Sequence, residues 1–304
     1  MPVLAKNASH FFNAETYAKK FGNKKISGKD GFSEVPLHQI QMLEAFLIKP
    51  FLAVILIALS CSGLGVFVLW KKLSYFGDAL SHSILLGLVF GVIFEINQIS
   101  ALIIFAFIFS LSVGVISQNR YFSKDTVVMI LSYFCVAVAI IFNDIWIKNF
   151  DFTSYIFGDV LTVSSQDIQV LATITVVAIT YVIFAFKRIL FIHSNQDLAR
   201  VEGVKVEFWN LSFLILLALV IALSVRIVGV FLMTALLILP PAIARIFSSS
   251  AKQMMVISLL VGTSISAASF KIASDYDLTT SSTIVAIFSL IFIFSLLIKK
   301  VSST

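Results

Sequence analysis

Long apolar runs recur along this chain from Phe51 to Ile298, and few architectures can accommodate them. A run of about 20 apolar residues forms a helix that is long enough to cross a bilayer. Of the 304 residues, 59% are hydrophobic and only 12% are charged, whereas a soluble domain is usually about 25% charged. The sequence therefore predicts a bundle of membrane-spanning helices.

The apolar pattern divides into nine predicted spans, so the expected fold class is an all-α, polytopic transmembrane bundle of 8–9 spans. The segment 211–247 is too long for one span, and Arg226 and Gly229 near its middle indicate a break. Pro240 and Pro241 predict a kink or an unwound segment near its end. The spans are Phe51–Trp70, Leu73–Ile96, Ile99–Ser117, Thr126–Phe142, Ile168–Phe186, Trp209–Val225, Ile227–Phe247, Met254–Phe270 and Ser281–Ile298.

Basic residues are distributed unequally between the two sets of loops. Twelve lie on one side and three on the other, which predicts that the first side is cytoplasmic. This assignment places the N-terminus outside and the C-terminus inside, and it explains the net charge of +6 without nucleic acid. The twelve are Lys71, Lys72, Arg120, Lys124, Lys187, Arg188, Arg200, Lys205, Arg245, Lys252, Lys299 and Lys300, and the three are Lys148, Arg226 and Lys271.

The first 41 residues differ from the rest of the chain. They are polar, contain six lysines and lack the apolar core of a signal peptide. A basic tail resists export, so it fits poorly with an external N-terminus. We predict that residues 1–41 are a disordered extension or an artefact of start-site choice, with Met42 as the alternative start, and that residues 42–304 form the transmembrane domain.

Two ionisable residues, Asp78 and His82, lie within the second predicted span. They are four residues apart, so they share one face of a helix. His82 lies about 13 Å into that span, close to the middle of a bilayer core of about 30 Å. Such groups in a membrane are costly and indicate function, and they are typical ligands of a divalent cation. Alternatively, Asp78 caps the helix N-terminus and His82 is a core histidine.

Seven carboxylates lie on the predicted outer side, where they would raise the local concentration of a cation. Alternatively, they are solvated loop residues. Asp159 belongs to Tyr155–Leu161, which echoes Tyr75–Leu80 without a following histidine, and it either shapes the entrance or caps a helix. The seven are Glu95, Asp144, Asp151, Asp159, Asp167, Asp275 and Asp277.

An energy source for transport is not encoded in an obvious way. The sequence has no Gly-x4-Gly-Lys-[Ser/Thr] phosphate loop, so we do not expect the chain to bind ATP itself. The longest cytoplasmic loop, 194–204, is predicted to form a short amphipathic helix that ends near Gly203. This helix either seats in a groove of a partner ATPase or is an ordinary solvated helix.

Taken together, these residues resemble the membrane subunits of manganese, zinc and iron ABC importers. The resemblance runs from about Met42 to Lys300, and the residues around Phe76 and Leu85–Gly87 are more similar to the zinc members. One departure is that Asp277 is retained without the proline and glycine that follow it in the family. The motifs are Leu73–Gly87, Tyr155–Asp159, Asp197–Ala199 with Glu202–Val204, and Val228–Arg245.

The resemblance implies a multi-pass permease of the bacterial inner membrane, surrounded by lipid, with Zn2+ as its transported substrate. It implies neither a catalytic residue nor a permanently bound cofactor. Two copies of the chain would form the pathway, a cytoplasmic ATPase dimer would drive it, and an extracytoplasmic zinc-binding protein would deliver the ion. Asp78 and His82 would form a transient site, with Asp159 and Asp277 at the outer face. The ATPase-coupling residues would be Asp197, Leu198, Ala199, Glu202 and Gly203.

Two alternatives stay open. Manganese or iron, rather than zinc, would suit the same family. A secondary carrier, driven by an ion gradient, would instead use Asp78 and His82 as a proton relay. Broken helices and repeated segments are also typical of such carriers.

Overall fold

The computed structural model describes residues 37–117, 123–147, 158 and 160–302. Within these ranges the chain is helical apart from short turns, and no strand occurs, which confirms the all-α prediction there. Asp159 and residues 1–36 lie outside the described residues. The first helix already begins at Leu37, so the last residues of the predicted extension are helical, and the boundary at residue 41 stays a prediction.

Nine α-helices occur in the described ranges: α1 (Leu37–Trp70), α2 (Ser74–Ile93), α3 (Gln98–Ile116), α4 (Lys124–Phe142), α5 (Ser165–Ser194), α6 (Gln196–Val201), α7 (Val206–Phe247), α8 (Ala251–Asp275) and α9 (Thr280–Ser302). All except the short α6 are long and apolar enough to cross a membrane, which gives eight such helices in the described part of the chain. A π-helical turn, Asn143–Ile147, extends α4, and a 3-10 turn, Val160–Thr162, precedes α5.

Serine side chains determine where several helices begin. Ser164 accepts a hydrogen bond from the backbone N–H of Asp167, and the Asp167 carboxylate accepts one in return from the backbone N–H of Ser164. This capping box satisfies backbone donors that the first turn of a helix leaves free. Ser123 and Ser250 cap α4 and α8 in the simpler one-way form.

The predicted sixth and seventh spans form one element rather than two separate helices. Trp209–Val225 and Ile227–Phe247 were expected to be divided near Arg226, but both lie inside α7. The break is a single residue, Gly229, which has φ 79° and ψ 167°. Because this left-handed conformation is accessible to glycine at little cost, no separate loop is required.

The first half of α7 runs antiparallel to α1. The rings of Phe67 and Phe213 lie 6.0 Å apart, and Lys71 donates a hydrogen bond to Asn210. A later residue of α1, Lys71, thus contacts an earlier residue of α7, Asn210, as expected for antiparallel helices.

The second half of α7 runs in the same direction as α1. Cys61 Sγ lies 3.7 Å from Met233 Sδ. Four residues later in both helices, Gly65 packs against Leu237. The two halves of α7 are therefore antiparallel, and the chain reverses at Gly229.

The second half of α7 crosses alongside the whole of α9. Ser281 Oγ donates to the carbonyl oxygen of Val228 at the start of α9, 3.1 Å away. Lys299 Nζ donates to the carbonyl oxygen of Ile246 near its end, 2.7 Å away. The second half of α7 is therefore as long as a membrane-spanning helix and makes a full crossing. Since α7 contributes two passes, the eight long helices account for the nine predicted passes.

Pro240 and Pro241 do not unwind the chain, so the predicted unwound segment is wrong. The only non-helical residue of α7 is Gly229. Pro241 has no N–H to bond the Leu237 carbonyl, four residues earlier. This carbonyl faces Gly65 of α1, where an added Cβ would overlap its oxygen. Gly65 therefore allows α1 and α7 to approach closely. The contact is at the Leu237 carbonyl, which lacks a helical hydrogen bond because residue 241 is proline.

The predicted charge asymmetry agrees with the three-dimensional arrangement. Lys71 and Arg188 both contact residues at the start of α7, and Lys299 contacts the end of α7. Because α7 reverses direction, its start and its end lie at the same end of the bundle. That end is the one predicted to face the cytoplasm. α7 itself lies at the centre and contacts α1, α2, α3, α5, α8 and α9.

Candidate functional site

Asp78 and His82 lie in the second and third turns of α2. The helix begins at Ser74 after Leu73, so Asp78 is not the N-cap residue, and that alternative interpretation is wrong. Asp78 Oδ1 and His82 Nε2 are 3.6 Å apart. This distance is slightly too long for a hydrogen bond, but it allows one cation to contact both side chains.

The pair lies on an open face of α2. The Asp78 side chain is 49% exposed and the His82 side chain is 42% exposed, so His82 is not a buried core histidine. Tyr75, three residues before Asp78, is also exposed. His82 lies about 12 Å along the helix from Ser74, at 1.5 Å per residue. Ionisable groups at this depth face protein or water rather than lipid, so this face of a single chain is incomplete.

The opposite face of α2 is held tightly in the bundle. Phe76 is fully buried, and Ser132 on α4 donates a hydrogen bond to the carbonyl oxygen of Ala79, 2.8 Å away. Ser81 and Ser83, the neighbours of His82, are buried and bond carbonyl oxygens of their own helix at 2.7 Å. These serines therefore lie on the bundle side of α2, and the Ser132 bond helps to hold that side against α4, so that Asp78 and His82 lie on the opposite side.

Asp78 and His82 are the only two side chains that the described structure offers at this point. Among the described residues, no group of three His, Cys, Asp or Glu side chains lies close enough to hold a metal ion. Two ligands bind an ion weakly, which suits a site that must release it. Additional ligands would come from another molecule or from water.

The predicted outer-face residues are not gathered with this pair. Asp277 lies in the turn between α8 and α9, with a left-handed φ of 55°. It joins no metal-binding group in the described part of the chain. Asp159 lies outside the described residues, so its predicted role is untested.

An ion pair at the outer end was not predicted from the sequence. Arg226 donates to Asp167 Oδ1 at 2.9 Å, and the Asp167 side chain is only 8% exposed. Both residues were assigned to the outer side, but nothing in their spacing joins them. The available signal was the Ser164–Asp167 spacing of a capping box, which places this carboxylate at the start of α5.

The cytoplasmic segment folds as predicted into a short helix, α6. Asn195 caps it by accepting a hydrogen bond from the Leu198 backbone N–H, 2.9 Å away. Ala199 is fully buried against Ile192 and Val206, which docks α6 onto the bundle. Gly203 ends the segment with φ 79°, a usual glycine cap.

The predicted coupling residues point in different directions. Leu198 is 47% exposed, and Val201, one turn further on, is also exposed. Asp197 and Glu202 are exposed as well, whereas Ala199 faces the bundle. The helix therefore presents two apolar side chains to the cytoplasm, flanked by acidic residues.

Comparison with known proteins agrees with this architecture. The profile of the ABC 3 transport family matches residues 43–299. The chain is 32% identical to the high-affinity zinc uptake system membrane protein ZnuB of Buchnera aphidicola subsp. Acyrthosiphon pisum, over 69% of this chain and 81% of that protein. It is 30% identical to ZnuB of Haemophilus influenzae, over 80% of this chain and 93% of that protein.

A manganese protein and solved structures are also similar. The manganese import system permease protein ScaB of Streptococcus gordonii is 29% identical over 86% of this chain and 93% of its own. The structure of PsaBC from Streptococcus pneumoniae in complex with Fab superposes with a TM-score of 0.73 at 25% identity, over 85% of this chain and 94% of that chain. The chain is therefore a multi-pass membrane protein that belongs to the ABC 3 transport family.

Proposed function

We propose that this chain is the permease subunit of an ATP-binding-cassette importer that carries Zn2+ inward across the bacterial inner membrane. The observation that carries this proposal is the half-exposed Asp78–His82 pair on a membrane-spanning helix. A carboxylate oxygen and an imidazole nitrogen are common zinc ligands. The zinc-uptake relatives, at 30–32% identity, support zinc as the substrate.

The open face of α2 is proposed to be completed by a second copy of the chain. Tyr75, Asp78 and His82 form an exposed stripe that a lipid environment would not tolerate. Facing stripes from two copies would enclose a polar path and place two acid–imidazole pairs near each other. An ion would then move between weak sites, because a complete cage in one chain would retain it.

The energy and the delivered ion are proposed to come from other proteins. A cytoplasmic ATPase dimer would receive α6, whose exposed Leu198 and Val201 suit an apolar groove. An extracytoplasmic zinc-binding protein would dock at the outer end, where Asp277 and Asp159 are proposed to act. In this assembly the permease is the transport component, and ATP hydrolysis takes place on the partner.

Zinc uptake by reconstituted vesicles tests the site. The permease is assembled with its ATPase and its binding protein, and uptake is compared between wild type, Asp78→Ala and His82→Ala. Each variant is expected to lower uptake at least about ten-fold, because each removes one of two ligands. Glu95→Gln, an exposed outer-turn carboxylate, serves as the control and should transport normally. If both alanine variants took up zinc at the wild-type rate, at equal protein levels, Asp78 and His82 would not form the transport site.

The same vesicles distinguish the alternatives. Manganese is a real competitor because ScaB, a manganese permease, is 29% identical to this chain. Uptake of zinc, manganese and iron at equal concentrations therefore identifies the preferred ion, and we expect zinc. Uptake that persists when the ATPase is omitted and a proton gradient is applied would instead show a secondary carrier.

A further inference from the structure

A cavity of about 300 Å³ opens at the cytoplasmic end of the bundle. It lies between the α1–α2 turn, the end of α3, the α5–α6 junction and the start of α7. We call it the basic cavity. Its lining does not include Asp78 or His82, so it is separate from the proposed transport site. Its polar lining residues are Lys71, Lys72, Ser117, His193, Gln196 and Asn210.

The charged side chains that line the basic cavity are all positive. Lys71 and Lys72 line it, and Arg245 lies within electrostatic range of the His193 imidazole together with both lysines. The described residues that line it include no carboxylate. The other polar groups, an amide of Gln196 among them, are able to donate hydrogen bonds. This combination favours a ligand that is anionic and rich in acceptor oxygens.

The walls of the basic cavity are fixed by contacts among its own lining residues. Lys71 Nζ donates to Asn210 Oδ1 and lies 5.6 Å from the ring centroid of Phe213. The indole of Trp70 stacks on the imidazole of His193, with centroids 6.0 Å apart and ring planes 13° apart. Side chains held in this way lose little conformational freedom when they bind a ligand.

Lys72 occupies a backbone position that ordinarily selects glycine. Its φ is 55°, and it ends α1 with two bonds, from Lys72 N to the Leu69 carbonyl at 3.3 Å and from Leu73 N to the Val68 carbonyl at 3.0 Å. Glycine is the usual residue at this point of such a cap. A lysine here costs backbone energy and places a cation at the cavity.

We propose that the basic cavity binds a phosphate group, carried either by the headgroup of an anionic phospholipid or by free phosphate. Phosphate offers several acceptor oxygens and negative charge to the donors that converge here. Anionic lipids are concentrated at the cytoplasmic surface, and basic pockets between membrane helices on that side bind their headgroups. The apolar part of the lining, which includes Leu73 and Leu214, suits the start of an acyl chain.

The test uses the full chain in nanodiscs and the variant Lys72→Gly. This variant removes one charge and relieves the left-handed backbone, so loss of folding does not confound it. In the lipid arm, retention of phosphatidylglycerol is measured by native mass spectrometry against phosphatidylcholine alone. In the second arm, inorganic phosphate is titrated and the thermal unfolding midpoint is recorded. Removing one lysine is expected to weaken binding about five-fold.

Glu95→Gly is the matched control. Glu95 ends α2 in the same type of turn, also with φ 55°, but at the outer end of the bundle. A Lys72-dependent effect in the lipid arm identifies a lipid headgroup, and one in the phosphate arm identifies free phosphate. Equal binding by wild type, Lys72→Gly and Glu95→Gly in both arms would overturn the proposal. The proposal would also be overturned if Lys72→Gly weakened assembly with the ATPase but changed neither lipid retention nor phosphate binding. The ligand of the basic cavity would then be a carboxylate of the partner protein.

Discussion

Two ion pairs in the described spanning helices, Asp167–Arg226 and Asp78–His82, have different surroundings. Asp167 and Arg226 are 2.9 Å apart, and the carboxylate is almost fully covered and also bonded to Ser164. Asp78 and His82 are 3.6 Å apart, and both remain about half exposed. The first pair is satisfied by contacts within one chain, so removing one partner leaves the other charge without its counter-ion. The second pair is open to its surroundings, and in the proposed function an ion or a second chain would contact it.

Replacing Asp167 tests the structural role of the first pair. Asp167→Asn is expected to lower the free energy of unfolding by about 2 kcal/mol, since it leaves a partly buried guanidinium without its partner. Ser164 still caps α5, and the asparagine amide oxygen can still accept the hydrogen bond from the Ser164 backbone N–H, so the loss reports the missing charge. Thermal unfolding in detergent measures it.

Asp144→Asn, at an exposed carboxylate on the same outer side, is the control and should be neutral. Adding Arg226→Gln to Asp167→Asn should recover part of the lost stability, because the unpaired cation is then also removed. Additive losses in the double variant would show that the two residues do not interact.

At the scale of elements, the contact between α1 and the second half of α7 depends on one glycine. Gly65 lies against the Leu237 carbonyl, which Pro241 leaves without its helical hydrogen bond. A methyl group at residue 65 has no flexible side chain to displace, since its neighbour is backbone. Gly63 lies two residues earlier in the same helix. An added Cβ there would have its nearest neighbours at 3.5 Å, an ordinary van der Waals distance.

These two glycines therefore give a matched pair of substitutions. Gly65→Ala is expected to lower the free energy of unfolding by about 3 kcal/mol, because two packed helices must separate. Gly63→Ala should be neutral or stabilise by up to about 1 kcal/mol, since alanine favours helix. Thermal unfolding of both variants in the same detergent measures the contrast. Equal effects of the two substitutions would contradict the close approach.

At the scale of the whole molecule, the described part of the chain carries two exposed surfaces that further subunits would cover. One is the polar stripe on α2, and the other is the apolar pair on α6. The first lies on the open face of α2 at membrane depth, and the second lies at the cytoplasmic end of the bundle. A transporter assembled from two permeases and an ATPase dimer would cover both surfaces, one with each type of subunit.

Assembly with the ATPase is tested at Leu198. Leu198→Ser is expected to weaken co-purification of the ATPase about ten-fold, because an exposed apolar anchor is lost. The control is Leu278→Ser, where the leucine is 50% exposed at the outer end, compared with 47% for Leu198. Outer-face substitution should leave assembly unchanged. Unaltered co-purification of Leu198→Ser would show that α6 does not contact the ATPase.

Much of the fold could be predicted because the bilayer itself imposes strong rules. Span length and the distribution of lysine and arginine both follow from the cost of placing polar groups in hydrocarbon. The position of the break in 211–247 was indicated by Gly229. Its form was not, because a reversal within one residue depends on the helices that hold both halves together. Proline alone was a misleading signal, since Gly65 accommodates the carbonyl that Pro241 leaves free.

The site was predictable only in part. The four-residue spacing of Asp78 and His82 correctly places them on one face of a helix. Spacing does not reveal which neighbouring helices cover that face, so their exposure required the structure. Asp167 and Arg226 are 59 residues apart, and no local pattern connects them. Contacts of this kind arise from the packing of whole helices.

The reversal at Gly229 also has a consequence for biosynthesis. The two halves of α7 form a hairpin whose tip lies next to Arg226, so this cation must be translocated through the bilayer when the hairpin inserts. Moving an arginine into a membrane is costly. α5 precedes α7 in the chain, so Asp167 is synthesised before Arg226. If the helices insert in the order of synthesis, the Asp167 carboxylate is in place to pair with Arg226 when the hairpin inserts, and this pairing offsets part of the cost of moving the arginine.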